Sequence, residues 1–154
     1  MNRIEISTDE SLGDIPWLPK LESFALAILE ELKKDRWDIS ILLCDNRTIQ
    51  QLNAEYRNKD EPTDVLSFEL GETILDEMDG QERFLAGDIV ISLETLYENA
   101  EYFKVSPDEE FRRLIIHGIL HLSGMDHQTN DMSEPMLQLQ ERILEQKKEE
   151  HILL

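Results

Sequence analysis

Three of the four histidines in this chain fall within eleven residues, in the run His117-Gly118-Ile119-Leu120-His121-Leu122-Ser123-Gly124-Met125-Asp126-His127. Residues four apart on a helix project from one face, so His117 and His121 can grip one ion together. Gly124 lets the chain leave the helix in a tight turn, which carries His127 round as a third ligand. Three neutral imidazoles leave a tetrahedral zinc with one position open to water, the catalytic arrangement rather than the closed structural one. Zinc lowers the pKa of such a water from ~15.7 towards ~7 and so supplies hydroxide at neutral pH. One zinc ion per chain is the expected cofactor, with other first-row metals also suited to three imidazoles. The fourth histidine, His151, has no such company and reads as solvated.

The histidine intervals match those of the metzincin zinc proteases, with a glycine at the turn. Those enzymes carry a glutamate after the first histidine as general base, and this chain has Gly118 there. Peptide hydrolysis is therefore disfavoured, although another zinc hydrolase stays open. So does a non-enzymatic assembly factor whose zinc is structural, with Asp126 or Glu134 completing the sphere. Asp126 could instead orient a histidine or the water.

Cations are few, and their positions matter. Arg57 lies at the end of a predicted helix, just before the loop that feeds the third strand. A guanidinium is suited to clamp a phosphate and to offset charge developing on it; by residue type alone a surface or helix C-terminal charge is the simpler reading. Lys59 follows two residues later. Arg113 lies one helical turn before His117 and can extend a positive lining, or pair with Glu109 or Glu110. Asp64 and Asp88 suit backbone contacts in turns.

Several elements must position these groups. Arg3 to Ser7 reads as a strand with Ile4 and Ile6 on one face. Pro16 to Lys34 has helical apolar spacing, and Trp37 to Cys44 is a second strand. Asp45 and Asn46 can cap a helix through about Tyr56. Val65 to Phe68 and Asp88 to Ile91 read as two more strands, joined by an acidic long loop or irregular hairpin. Ser92 can cap a helix through Phe103. Ser106-Pro107-Asp108-Glu109 is a capping-box sequence, opening the histidine-bearing helix through about Leu122. Ser133-Glu134-Pro135 starts a last helix with Met136, Leu139, Ile143 and Leu144 inward. Four short strands and about five helices give an α+β fold, with the zinc site on one helix and the following turn.

Bulk properties set limits. The 154 residues are 40% hydrophobic and 32% charged, the size and composition of one globular domain spanning 1–154. Cys44 sits in an apolar run and reads as a buried thiol, which a reducing cytoplasm tolerates. No apolar stretch is long enough to span a bilayer, so no membrane partner is expected. The net charge of −19, from 34 acids against 15 bases, argues against non-specific binding to nucleic acid over the whole surface. Glu69 to Glu82 alone holds six acids and no base.

The motif His117-Gly118-x-Leu120-His121-Leu122-x-Gly124-x-Asp126-His127 resembles the signature of the YbeY family of bacterial rRNA maturation factors. The segment Tyr56-Arg57-Asn58-Lys59-Asp60-Glu61-Pro62-Thr63-Asp64-Val65-Leu66-Ser67-Phe68 resembles that family's second block, and Gly87-Asp88-Ile89 its third. The resemblance covers nearly the whole chain. One departure is Glu69, where family members commonly carry proline; an altered strand exit, and no change at the metal site, is expected from it. The resemblance implies a mixed four-stranded sheet packed with helices, and a cytoplasmic, single-strand-specific, metal-dependent endoribonuclease. It also implies a task in 3′-end maturation of small-subunit rRNA and in ribosome quality control. It raises Arg57 to leading phosphate contact and catalytic partner of His117, with Lys59 second; Arg113 is a further candidate substrate contact by its position on the helix alone. The acidic surface then needs help in docking, from the small subunit or from a basic ribosomal protein.

Overall fold

The computed structural model describes residues 1–153. Among them are four strands, β1 (Arg3–Thr8), β2 (Trp37–Cys44), β3 (Val65–Leu75) and β4 (Glu82–Ser92). Five α-helices accompany them: α1 (Leu18–Glu31), α2 (Asn46–Arg57), α3 (Leu93–Phe103), α4 (Pro107–Leu122) and α5 (Pro135–Gln146), with a 3-10 turn at Glu10–Leu12. The sheet order is β1-β2-β4-β3. β1 and β4 run parallel to β2, and β3 is an antiparallel edge strand on β4. This is the mixed α+β architecture that the sequence predicts.

Period-two alternation gives the sheet two unlike faces. Ile39, Ile41, Leu43, Ile89 and Ile91 join the main core with residues of α1, α4 and α5. On the other face Cys44, Leu66 and Val90 are covered by Ile49 and Leu52 of α2. Cys44 has no exposure, and burial pushes its thiol pKa up to about 12, so it is an inert packing group.

The caps expected from sequence form. The Asp45 side chain accepts from the Thr48 amide, Ser92 from Thr95 and Ser106 from Glu109, each relieving an amide at a helix start. The Glu109 carboxylate accepts from Arg113. α4 is apolar over most of its circumference, burying Phe111, Leu114, Ile115, Ile116, Ile119, Leu120 and Leu122. Its one partly exposed polar stripe, at four-residue intervals, is Glu109, Arg113, His117 and His121.

Two regions carry more structure than expected. The acidic segment is the irregular hairpin, one of the two forms expected, but with longer strands, β3 continuing to Leu75 and β4 beginning at Glu82, and with a register shift between Glu69 and Glu72. Its turn is held electrostatically: Asp76 accepts from the Met78 amide and pairs with Arg3 at 3.0 Å, while Arg36 pairs with Asp79 at 3.0 Å. Composition hid this because the neutralising arginines, Arg3 and Arg36, lie outside the segment.

His151 is exposed, as expected, but it has a partner. The tail after α5 folds back, Ile152 is fully buried, and the His151 Nδ1 donates to Asp108 at 2.8 Å. Asp108 also accepts from the amides of Ile152 (2.7 Å) and Leu153 (2.9 Å) and from Arg112 (2.9 Å). Burial pushes its carboxyl pKa up, but those amides, His151 and Arg112 outweigh it and hold the pKa below 3.8. The charged form therefore stabilises the fold above pH 3.8, and that contribution is lost as pH falls through the lower folded value. Asp108→Asn is expected to cost about 3 kcal/mol at neutral pH, because Arg112 then lacks its buried counter-charge. The gap from wild type in denaturant melts should shrink as pH falls from 3.8 through the lower folded value, below which the wild-type carboxyl is neutral too. An equal gap at pH 7 and in acid would remove the charge from the account.

Candidate metal centre

Helix periodicity and one turn build the cluster. His117 and His121 stand one turn apart on α4, with ring centroids 4.7 Å apart. Ser123 ends the helix, and Gly124 turns the chain with φ +98, a conformation that suits glycine. The loop then returns His127 to ring-centroid distances of 5.2 Å from His117 and 5.4 Å from His121. Glu134 pins this loop by accepting from the amides of Gln128 and Thr129 and from the Thr129 hydroxyl. One ligand atom from each histidine lies within 4.8 Å of the others.

Each imidazole faces an acceptor through Nδ1. The partners are Gln140 Oε1 at 2.7 Å for His117, the Met125 carbonyl at 3.1 Å for His121 and the Thr129 carbonyl at 2.8 Å for His127. Main-chain carbonyls only accept, so the Nδ1 atoms of His121 and His127 carry the proton and leave an Nε2 lone pair; at His117 the same arrangement follows with the Gln140 amide oxygen turned to the ring. The Nε2 atoms of His117 and His121 are 3.1 Å apart. Two lone pairs at that distance repel, and a cation between them turns the repulsion into ligation; the donor set thus fits a metal ion. Burial pushes both pKa values down, with Gln140 opposing the shift at His117 and the charge of His127 adding to it at His121. Neutral imidazole is the form that ligates. Neither Asp126 nor Glu134 belongs to the converging group. Asp126 is bonded to the His127 amide, with an oxygen 3.9 Å from His121 Nδ1.

His117, His121 and the turn Gly124 to Asp126 line a cleft of about 730 Å³, together with Val65 to Glu69 of the edge strand and Arg57. Arg57 closes α2, donates to the Ser67 carbonyl at 2.7 Å, and lies 5.0 Å from the Phe68 ring centre. These contacts fix the guanidinium at the cleft while it stays exposed. Glu69, expected to act only on the strand exit, lines the cleft too, and its charge favours the protonated form of His121. A larger concavity of about 1310 Å³ on the outer sheet face, lined by Arg3, Glu5, Asp38 and Asp88 among others, contains none of the histidines.

Lys59 is exposed beyond the left-handed Asn58 and is not part of the cleft lining. Arg113 is on the expected stripe, but its guanidinium is held by Glu109 (3.2 Å), Glu110 (3.2 Å) and Glu141 (3.0 Å) and does not line the cleft. Asp64 accepts from the Val65 amide and from Asn99, the turn role expected of it. Asp88 instead lies within β4, on the outer face of the sheet. Gly118 faces the sheet: a β-carbon there would lie 2.9 Å from Ile89 Cδ1. A metzincin-type glutamate at that position would press on the Ile89 side chain, which would have to shift. Gln140 was not singled out from sequence. The available signal was a polar residue on the inward stripe of α5, between Met136 and Ile143.

A family model described as Endoribonuclease YbeY matches residues 6–148. A Treponema denticola protein named Endoribonuclease YbeY is 51% identical over 148 residues, covering 96% of this chain and 94% of that protein. A Borreliella burgdorferi protein of the same name is 48% identical over 129 residues, covering 81% and 83%. A Thermotoga maritima protein solved in solution superimposes with a TM-score of 0.63 at 30% identity, covering 97% of this chain and 91% of its own.

Proposed function

The chain belongs to the YbeY family of endoribonucleases, and from that premise we propose that it hydrolyses phosphodiesters in single-stranded RNA with one zinc ion held by His117, His121 and His127. The observation that carries this reading is a cleft with His117 and His121, their Nε2 atoms 3.1 Å apart, on one side and an exposed, anchored guanidinium on the other, with His127 converging on the same two histidines. A metal ion held there supplies Lewis acidity, activating the attacking water or polarising a phosphoryl oxygen. Arg57 uses one N–H on the Ser67 carbonyl and keeps others for a phosphate, where its charge offsets the negative charge of the transition state. Lys59, exposed in the loop two residues beyond and outside the cleft lining, is a phosphate contact past the cleft. Arg113, neutralised by three carboxylates, has no part in binding substrate.

The biological task in this reading is 3′-end maturation of small-subunit rRNA and removal of defective ribosomes, in the cytoplasm. Among the described residues no helix is long and apolar enough to cross a membrane. A net charge of −19 makes unaided RNA binding weak and steeply salt-dependent. The small subunit, or a basic ribosomal protein, supplies docking affinity, and the acidic hairpin between Glu69 and Glu82 is the surface that meets it.

Cleavage of an unstructured RNA tests the chemistry. Wild-type protein should cut, stop on chelation and recover on adding zinc back, while Arg57→Ala should lose about 10²- to 10³-fold in rate, the usual effect of one transition-state donor. Full activity in the chelated protein, or in Arg57→Ala, would remove the corresponding role. Failure to form a complex with purified small subunits at low salt would remove the docking role.

A further inference from the structure

Two of the three imidazoles are oriented by main-chain carbonyls of their own loop, whereas His117 is oriented from another helix. Its Nδ1 meets Gln140 of α5, a residue 23 positions away and 7% exposed. An amide can present either oxygen or nitrogen, so this contact alone does not select a histidine tautomer. The next link does. Gln140 Nε2 donates to Glu141 Oε2 at 3.1 Å, and a carboxylate only accepts. The amide nitrogen is thereby held on the Glu141 side and the oxygen on the His117 side. Glu141 in turn is gripped by Arg113 through two contacts of 3.0 and 3.1 Å. Arg113 is braced from behind by Glu109 and the buried Glu110.

We infer that Gln140 is the positioning residue that keeps His117 in its metal-ligating tautomer, with Glu141 and Arg113 fixing the direction of its amide. The cation that sequence reading assigned to the substrate works through this relay on the metal ligand. Its three carboxylate partners leave it no net charge to offer RNA, and its rigidity sets which face of Gln140 points at the imidazole. The relay also ties the metal site to the docking of α5, which is seated by Met136, Ile143 and Leu144. The inference rests on reading the three histidines as a metal site and is independent of the substrate.

The test compares wild type, Gln140→Met and Gln140→Glu by two readouts that involve no RNA. Proton–nitrogen correlation NMR of the metal-free protein reads which ring nitrogen of His117 is protonated, and competition with a chromophoric chelator reads zinc affinity. Wild type should show His117 protonated at Nδ1. Gln140→Met, similar in shape but lacking the acceptor, should populate the Nε2–H form and bind zinc about 10- to 100-fold more weakly, the usual effect of losing such a partner. Gln140→Glu keeps an acceptor and should keep the wild-type tautomer. An unchanged tautomer and unchanged zinc affinity in Gln140→Met overturns the inference, since a merely space-filling glutamine would give that result. Should the methionine variant not fold, Glu141→Met removes the acceptor for Gln140 Nε2 and frees the amide to turn while leaving Gln140 in place. A smaller loss in the same direction supports the relay, and no loss overturns it. Failure of any form to cut RNA bears on the proposed activity and leaves the role of Gln140 intact.

Discussion

His121→Ala is expected to fold, to lose its metal ion and to leave an unstructured RNA uncut. The loss of rate should exceed about 10³-fold, because a single transition-state donor is already worth about 10²- to 10³-fold and this substitution removes the Lewis acid. Folding should survive for local reasons. His121 is partly exposed on the one polar stripe of α4 and lies outside the main core, so its removal opens no apolar cavity. Alanine is also the better helix former. The bond lost is the 3.1 Å contact to the Met125 carbonyl, which loosens the turn at Gly124 without touching the core. Two melts make the comparison decisive. Metal-free wild type and metal-free variant should unfold at similar temperatures, whereas added zinc should raise only the wild type, as binding to the native state requires. A variant that still cuts RNA and still gains stability from zinc would take His121 out of the site.

Gly87→Ala is expected to be the most destabilising single-methyl change in the molecule. Gly87 has φ +144, and a β-carbon there would stand 2.1 Å from the Phe68 carbonyl oxygen, 2.9 Å from Leu122 Cδ2 and 3.1 Å from the Leu70 amide. Two of these three are backbone, so no side-chain rotation relieves the clash; β3 itself must move. Strain of about 1–3 kcal/mol from the backbone conformation adds to about 1–3 kcal/mol of overpacking. For a chain of this size that corresponds to a drop in Tm on the order of 5–20 °C. The glycine sits opposite Glu69 beside the register shift between β3 and β4, so the displaced segment is the one that carries Phe68 and Glu69 into the cleft. Gly71→Ala is the internal control. Its φ is also positive at +67, but nothing lies within 4 Å of its β-carbon position, and it should cost only about 1–2 kcal/mol. Equal melting temperatures for the two variants would show that close approach at Gly87 is not what matters.

Local order was legible in the residues themselves. His117 and His121 converge because the helix repeat puts residues four apart on one face, and His127 returns because a glycine permits the turn. The caps at Asp45, Ser92 and Ser106 depend on a side chain and an amide three residues away, and β2 has the span its apolar run predicts. Contacts between elements were not legible in that way. Arg113 was visible as a cation one turn before His117, but its partner Glu141 is 28 residues away on another helix. Gln140 is one polar residue in an apolar stripe until α5 packs on α4 and brings it to the imidazole. His151 reads as solvated in its acidic tail, and meets Asp108 only because Ile152 is drawn into the core. Arg57 needed the Ser67 carbonyl of a neighbouring strand to fix it at the cleft. Backbone geometry over a few residues makes the histidine triad a property of the sequence. Which charges stand beside it, which neutralise one another and which side chain meets His117 depend on packing between distant segments, and only the tertiary structure decides them.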